Sequence, residues 1–224
     1  LAMYLPYVST DKQTVLGHYM VAQRSGEIAA TLGAAAHLAR IRWAPTLSNI
    51  YLVLLRLRVG WSVSADITSG KIEMPFRAII ARQFTVDYTA HMTSINMATT
   101  AKTNVMRSTG PNSMSPSQMG ANGPGICDTA GGTGQTLTAD AAPFAISTTA
   151  PLCLAVSATG TATLATQGMC SPMVTLYERG ADGFHPVILA NNEGVLVQNH
   201  LAGPASGTFG LYTEWTWAEV SVLP

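Results

Sequence analysis

The stretch Phe209-Gly210-Leu211-Tyr212-Thr213-Glu214-Trp215-Thr216-Trp217-Ala218 decides the fold of this chain. Read at a period of two, it puts Phe209, Leu211, Thr213, Trp215 and Trp217 on one side. Gly210, Tyr212, Glu214, Thr216 and Ala218 fall on the other. A pleated strand gives this pattern because successive side chains point to opposite faces. Each tryptophan on the apolar side brings about 2 kcal/mol or more of burial. Gly203-Pro204-Ala205-Ser206-Gly207 supplies turn chemistry just before it. Residues 195–224 are therefore expected to form a β-hairpin whose second strand is buried on one face.

Working upstream, 186–189, 195–197, 173–177 and 152–156 read as short strands separated by turn signals. Residues 50–59 are a strand too apolar for an exposed edge. Ile72, Met74, Phe76, Ala78 and Ile80, at spacing two, mark a half-buried strand, and Pro75 near its start suggests an edge or a bulge. The Ala-rich run 28–38 has helix propensity, but Gly33 interrupts it and 40–43 alternates, so a turn into a strand is the preferred reading. The expected fold is all-β: an antiparallel β-sandwich, jelly-roll-like, with long Gly/Ser/Thr-rich loops. Residues 1–25 read as an N-terminal arm or edge segment with a short strand near 14–20. Residues 26–224 read as the sandwich, with a long loop insertion near 92–150. Loops beyond about 15 residues inside a compact domain are functional or disordered. Here they are expected to be excursions that reach neighbouring subunits, with disorder as the competing reading.

Composition narrows the function. Of 224 residues, 47% are hydrophobic, which suffices for a sizeable core. Only 11% are charged, and twelve basic residues cancel twelve acidic ones; ordinary domains carry about 25% charged residues. A free monomer of that kind is poorly soluble, so much of its surface is expected to be buried in an oligomer. A monomer coated with Ser, Thr, Asn and Gln is the competing reading. Nucleic-acid binding is not expected, because it needs clustered Lys and Arg. Arg40 with Arg42, and Arg56 with Arg58, each lie on one strand face, where a solvated edge or intersubunit pairing is expected. No apolar run approaches the roughly 20 residues of a membrane helix, so no membrane partner is expected.

Candidate chemistry is sparse. Cys127, Cys153 and Cys170 lack the spacing of a zinc site or a disulfide framework, and buried thiols are expected. His18, His37, His91, His185 and His200 form no metal-ligand pair. His185, flanked by Glu178 and Asp182, has the composition of a general-base site, but a hydrogen-bonded turn histidine is the simpler reading. Glu214 and Glu219 beside tryptophans have the look of a glycosidase or sugar-binding platform. Glu214, however, falls on the face opposite Trp215 and Trp217, as a solvent-facing carboxylate would. Gly131-Gly132-Thr133-Gly134-Gln135 is followed by no Lys-Ser/Thr and opens no helix, so it is no phosphate loop. No catalytic residue, metal site or cofactor is assigned, and the chain is not expected to be an enzyme.

The order of several segments carries a resemblance. Arg40-Ile41-Arg42-Trp43-Ala44, Leu55-Arg56-Leu57-Arg58-Val59-Gly60, Ala81-Arg82-Gln83-Phe84-Thr85 and His185-Pro186-Val187-Ile188-Leu189-Ala190-Asn191-Asn192-Glu193-Gly194 come first. Pro204-Ala205-Ser206-Gly207-Thr208 and Glu214-Trp215-Thr216-Trp217-Ala218-Glu219-Val220 follow. With its RW, R-x-R, AR-x-F, HP-x-x-L-x-x-NEG and final W-x-E-V segments, the chain resembles tailed-bacteriophage virion structural proteins over about residues 25–220, and is most like capsid decoration (cement) proteins. The long insert at 107–135 departs from the shorter loop of that family.

The resemblance implies a β-sandwich that binds the major capsid protein and itself, as a homotrimer. It would decorate the capsid surface of a virion after synthesis in the bacterial host cytoplasm. A receptor- or glycan-binding head or tail fibre module is the alternative; it would use exposed aromatics such as Tyr51, Tyr88 or Tyr212. Within the resemblance Trp43, Trp215 and Trp217 are core anchors. Asn192-Glu193-Gly194 is a turn in which Gly194 is free to take positive φ.

Overall fold

The structure is a computed structural model. It describes residues 15–29, 32–45, 49–65, 75–86, 92–95, 102–103, 117–120, 136–147, 170–180, 186–203 and 207–221. The expected strand at 152–156, Cys127, Cys153, His91, His185, Tyr88 and the Gly-rich run 131–135 lie outside these residues.

Every described regular element is a strand. In chain order they are β1 (Val15–Ala29), β2 (His37–Trp43), β3 (Tyr51–Ala65), β4 (Phe76–Val86), β5 (Met92–Ile95), β6 (Lys102–Thr103) and β7 (Ser117–Gly120). They continue with β8 (Thr136–Ala139), β9 (Ala145–Ile146), β10 (Cys170–Glu178), β11 (Val187–Leu189), β12 (Glu193–Asn199) and β13 (Thr208–Val220). All described pairings are antiparallel. They build two sheets. Sheet I has the order β10-β3-β13-β1-β6, with β11 also on β3. Sheet II has the order β5-β7-β2-β12-β4-β8, with β9 also on β4. The described strands change sheet at β1 to β2, β2 to β3, β3 to β4, β5 to β6, β6 to β7, β9 to β10, β11 to β12 and β12 to β13. The fold is an all-β sandwich.

The alternation of β13 is realised as read. Phe209, Leu211, Trp215 and Trp217 have no exposed surface, Thr213 is buried with them, and Tyr212, Glu214 and Thr216 on the other side are half-buried. The tryptophans meet Tyr19 and Val21 of β1 and Leu54 and Leu57 of β3 across the ladder. Tyr19 stacks on Trp217 at 5.7 Å between ring centres, and Trp61 meets Phe209 edge-on at 6.0 Å. From sheet II, Ile41, Trp43, Ala78, Val195 and Val197 close the same core. Trp43, Trp215 and Trp217 are its anchors.

Two β-bulges explain sequence runs that a strict period of two misreads. In β3, Thr216 pairs with Arg56 but Trp217 pairs with Leu54, so Leu55 is an extra residue. Its insertion lets Leu52 and Leu54, then Leu57, Val59 and Trp61, all face inward, and turns Arg56 and Arg58 outward. In β1 the register shifts between Arg24 and Glu27. Ser25 sits buried there, and its Oγ accepts a 2.8 Å hydrogen bond from the Leu211 amide, in place of a ladder partner.

Four expectations are corrected. Residues 195–224 are not a hairpin. β12 belongs to sheet II and β13 to sheet I, because both are apolar enough to be interior strands and each finds two other partners. The boundary at residue 25 falls inside β1, which pairs with β13 from Val15 to Ala29, so the described part of the expected arm belongs to the sandwich. The 92–150 region contributes the short strands β5 to β9 to both sheets and is not wholly loop. β4 is an interior strand between β12 and the β8 and β9 pairings; its irregularity is a bulge at Gln83, where φ is +51°, rather than an edge at Pro75.

Gly194 is required for a reason other than the one expected. Positive φ falls on Asn192 (+63°) in the turn between β11 and β12. A Cβ on Gly194 would collide with the Ile41 carbonyl oxygen and come within 2.7 Å of the Phe84 ring, so close packing demands the glycine.

One end of the sandwich is held by Asn199, which has no exposed surface. Its Nδ2 donates to the carbonyls of Gly33 (2.6 Å) and Leu201 (2.8 Å). Nearby, the Gly203 amide donates to Leu32 and the His200 amide to Pro75. The crossovers from β1 to β2, β3 to β4 and β12 to β13 are thereby tied together.

Candidate functional site: the outer face of sheet I

The outward positions of β1, β13, β3 and β10 form a broad face with two parts. The first part is polar. Glu214 of β13, with its side chain 15% exposed, accepts from Arg56 at 2.6 Å and lies 3.5 Å from Arg58. Arg58 also donates to the Met173 carbonyl at 3.4 Å. Next to them Arg24 donates to the Tyr212 hydroxyl at 3.1 Å and covers its ring at 5.7 Å. Ser62 Oγ lies 3.3 Å from the same hydroxyl. Gly210 leaves the room in which Arg24 lies flat, since a Cβ there would be 3.2 Å from its Nη2.

The second part is apolar. Val53, Ala218 and Val220 form a small cluster apart from the sandwich core, with half-buried Tyr51, Leu55 and Ile188 packed around it. The β3 bulge creates the step between the two parts. Arg56 begins the polar part immediately beside Leu55. His18, paired with Ala218, lies at this end, and burial lowers its pKa.

The outer face of sheet II differs. Ala81, Phe84 and Leu196 are buried together, with Leu137 and Ala139 against them. The guanidinium groups of Arg40 and Arg42 lie 5.5 and 5.9 Å from the centre of the Phe84 ring, and Arg42 donates to the Thr85 carbonyl. At its corner Arg82 is clamped by Asp140 (2.9 Å) and Glu193 (2.8 Å), which raise its pKa. Glu193 also accepts from the Ala190 amide at 2.8 Å. Arg82, Gln83, Thr85 and residues 190–193 line an open depression of about 450 Å³ there.

The arginine pairs therefore correct their expectation. β2 and β3 are interior strands, so neither pair marks a solvated edge. Arg40 is buried against Phe84, and Arg56 and Arg58 find Glu214 within the chain: Arg58 sits opposite it in the ladder, and Arg56, opposite Thr216, reaches it diagonally. Glu214 faces away from the tryptophans, as read, but is shielded by two arginines rather than left to solvent. Glu219, by contrast, is fully buried and in register with Leu52, so it does not join Glu214 in one site. Tyr51 and Tyr212 are half-buried. Tyr177 is buried, its hydroxyl accepts from the Val187 amide at 3.0 Å, and burial raises its pKa. Among the described residues no three His, Cys, Asp or Glu side chains converge as metal ligands, and no described helix is long and apolar enough to cross a membrane.

The chain matches no family model, no curated protein and no solved structure.

Proposed function

We propose that this chain is a structural virion protein that decorates and stabilises a bacteriophage capsid, binding the major capsid protein as a homo-oligomer. The observation that carries this reading is the wiring of the sandwich. Take β10 and β11 as one interrupted strand and set aside the short strands β5, β6, β7 and β9. Eight strands remain, ordered β10/11-β3-β13-β1 in one sheet and β2-β12-β4-β8 in the other. Lettered B to I along the chain, these are G-D-I-B and C-H-E-F, an order that supports a jelly-roll reading. That architecture recurs in viral capsid proteins and in lectins.

Fold does not fix function, and three further features favour the capsid side. The ordered segments from Arg40 to Val220 resemble phage virion proteins. The chain has few charges and no net charge. Apolar clusters sit on the outer faces of both sheets, in addition to the core between them. Sheets that are apolar on both faces are those covered on both faces.

The test is the copy number of this chain in purified particles of the phage that encodes it, relative to the major capsid protein. A ratio near one, or one copy per few capsid subunits, is expected. A handful of copies per particle moves the chain to a tail or fibre and favours the receptor- or glycan-binding alternative. Absence from the particle overturns the proposal.

A further inference from the structure

The described side chains on the outer face of sheet I include both signs of charge. Arg24 on β1 and Arg56 and Arg58 on β3 are matched by Glu27 on β1, Glu214 on β13 and Glu178 on β10. Each is placed on this face by its ladder partner: Arg24 by Tyr212, Glu27 by Gly210, Glu178 by Arg56, Arg58 by Glu214. Arg24, Glu27 and Glu178 are exposed. Arg56 and Arg58 keep 39% and 33% of their side-chain surface in solvent. Along one side of this field run the half-buried Tyr51, Leu55 and Ile188.

A face of one sign attracts a partner of the other sign, whether acidic protein or nucleic acid. A face with both signs interspersed and an apolar margin is complementary to another face of the same kind. We propose that the outer face of sheet I is the surface on which a second copy of this chain docks. Arg24 and Glu178, near opposite sides of the sheet, are the groups that meet opposite charges on the neighbour. Tyr51, Leu55 and Ile188 are the apolar contact. This inference rests on the structural-subunit reading and names the surface through which the subunits join. The ion pairs inside the face lower the cost of covering it, because Glu214 is already held by arginine and gives up little water.

The experiment uses the full chain and light scattering at micromolar concentration. The unmodified chain is expected to run as an oligomer. Arg24→Glu and Glu178→Arg, each alone, unbalance the face and are expected to lower the mass to that of the monomer, while keeping the cooperative melt of the parent. An equimolar mixture of the two variants, one face net negative and the other net positive, is expected to regain the oligomer and to lose it again in high salt. A monomeric parent, variants that keep the parent mass, or a mixture that stays monomeric would each overturn the proposal. If either variant does not melt cooperatively, dilution of the parent decides. Tyr51 and Tyr212 should become more reactive to hydroxyl radicals as the oligomer dissociates, and unchanged reactivity would overturn it. A monomer that is abundant in purified particles removes this interface and leaves the structural-subunit reading standing. An oligomer built through this face, in a chain absent from particles, does the reverse.

Discussion

The two faces of β13 are made from one strand and do opposite things. Inward, Phe209, Leu211, Trp215 and Trp217 have no exposed surface and fill the space between the sheets. Outward, Tyr212, Glu214 and Thr216 are half-covered by neighbours on β1 and β3, through a cation over a ring and a shared carboxylate. The inner face gains free energy by removing area from water, and that gain is large and insensitive to sign or direction. The outer face gains little within the single chain, since exposed ion pairs contribute about 0–1 kcal/mol each. What the outer face provides is a pattern of sign and shape. The inner face makes the fold, and the outer face is the one proposed to meet a second copy.

The comparison breaks most visibly in the core. Trp217→Ala or Trp215→Ala is expected to cost about 3–5 kcal/mol in chemical denaturation, through a cavity that Tyr19 and Leu54 cannot close. Loss of less than about 1 kcal/mol from both would place those rings in solvent and reverse the two faces. Asn199→Ala is expected to cost about 2–3 kcal/mol, because it strips a donor from the carbonyls of Gly33 and Leu201 in a buried corner. If its melting temperature equalled that of the parent, the β1–β2 and β12–β13 crossovers would not be held by this side chain.

On the outer face, Glu214→Gln is expected to cost about 1 kcal/mol or less of stability. A larger loss would make the arginine row a part of the fold rather than of its surface. The smallest effect is that of His18. Its folded pKa lies below the ordinary value of 6.5, because burial disfavours the charged form. The unfolded chain therefore binds more protons as pH falls through that range. The stability His18 contributes is complete above 6.5, declines as pH drops below it, and levels off beneath the folded pKa. His18→Gln should flatten that part of the pH profile of melting temperature; an unchanged slope would assign it to other groups.

The inner face was legible in the sequence because it obeys one rule, alternation, wherever the strand is regular. Trp215, Trp217, Phe76, Ala78 and Ile80 alternate in the sequence and all face inward in the sandwich. The rule fails at bulges. Leu55 has the chemistry of its neighbours Leu54 and Leu57, so nothing in the run from Tyr51 to Val59 signals that one residue is extra. The bulge in turn decides that Arg56 and Arg58 meet Glu214. Strand partnership was also beyond reach. β12 and β13 are close in sequence and read as a hairpin, yet the pairing of each is settled by strands more than 100 residues away. The outer face is a product of those distant pairings, so its glutamates and arginines appear in the sequence as isolated charges.

The central claim is that the outer face of sheet I is a contact surface and the inner face a core. The most direct test is hydroxyl-radical footprinting of this chain in purified particles against the dissociated chain, read at Tyr51 and Tyr212, with Trp215 as the internal reference. Tyr51 and Tyr212 are expected to be protected in the particle, while Trp215 is unreactive in both states. Equal reactivity of the two tyrosines in both states would contradict it and would leave them free to act as a ligand-binding surface.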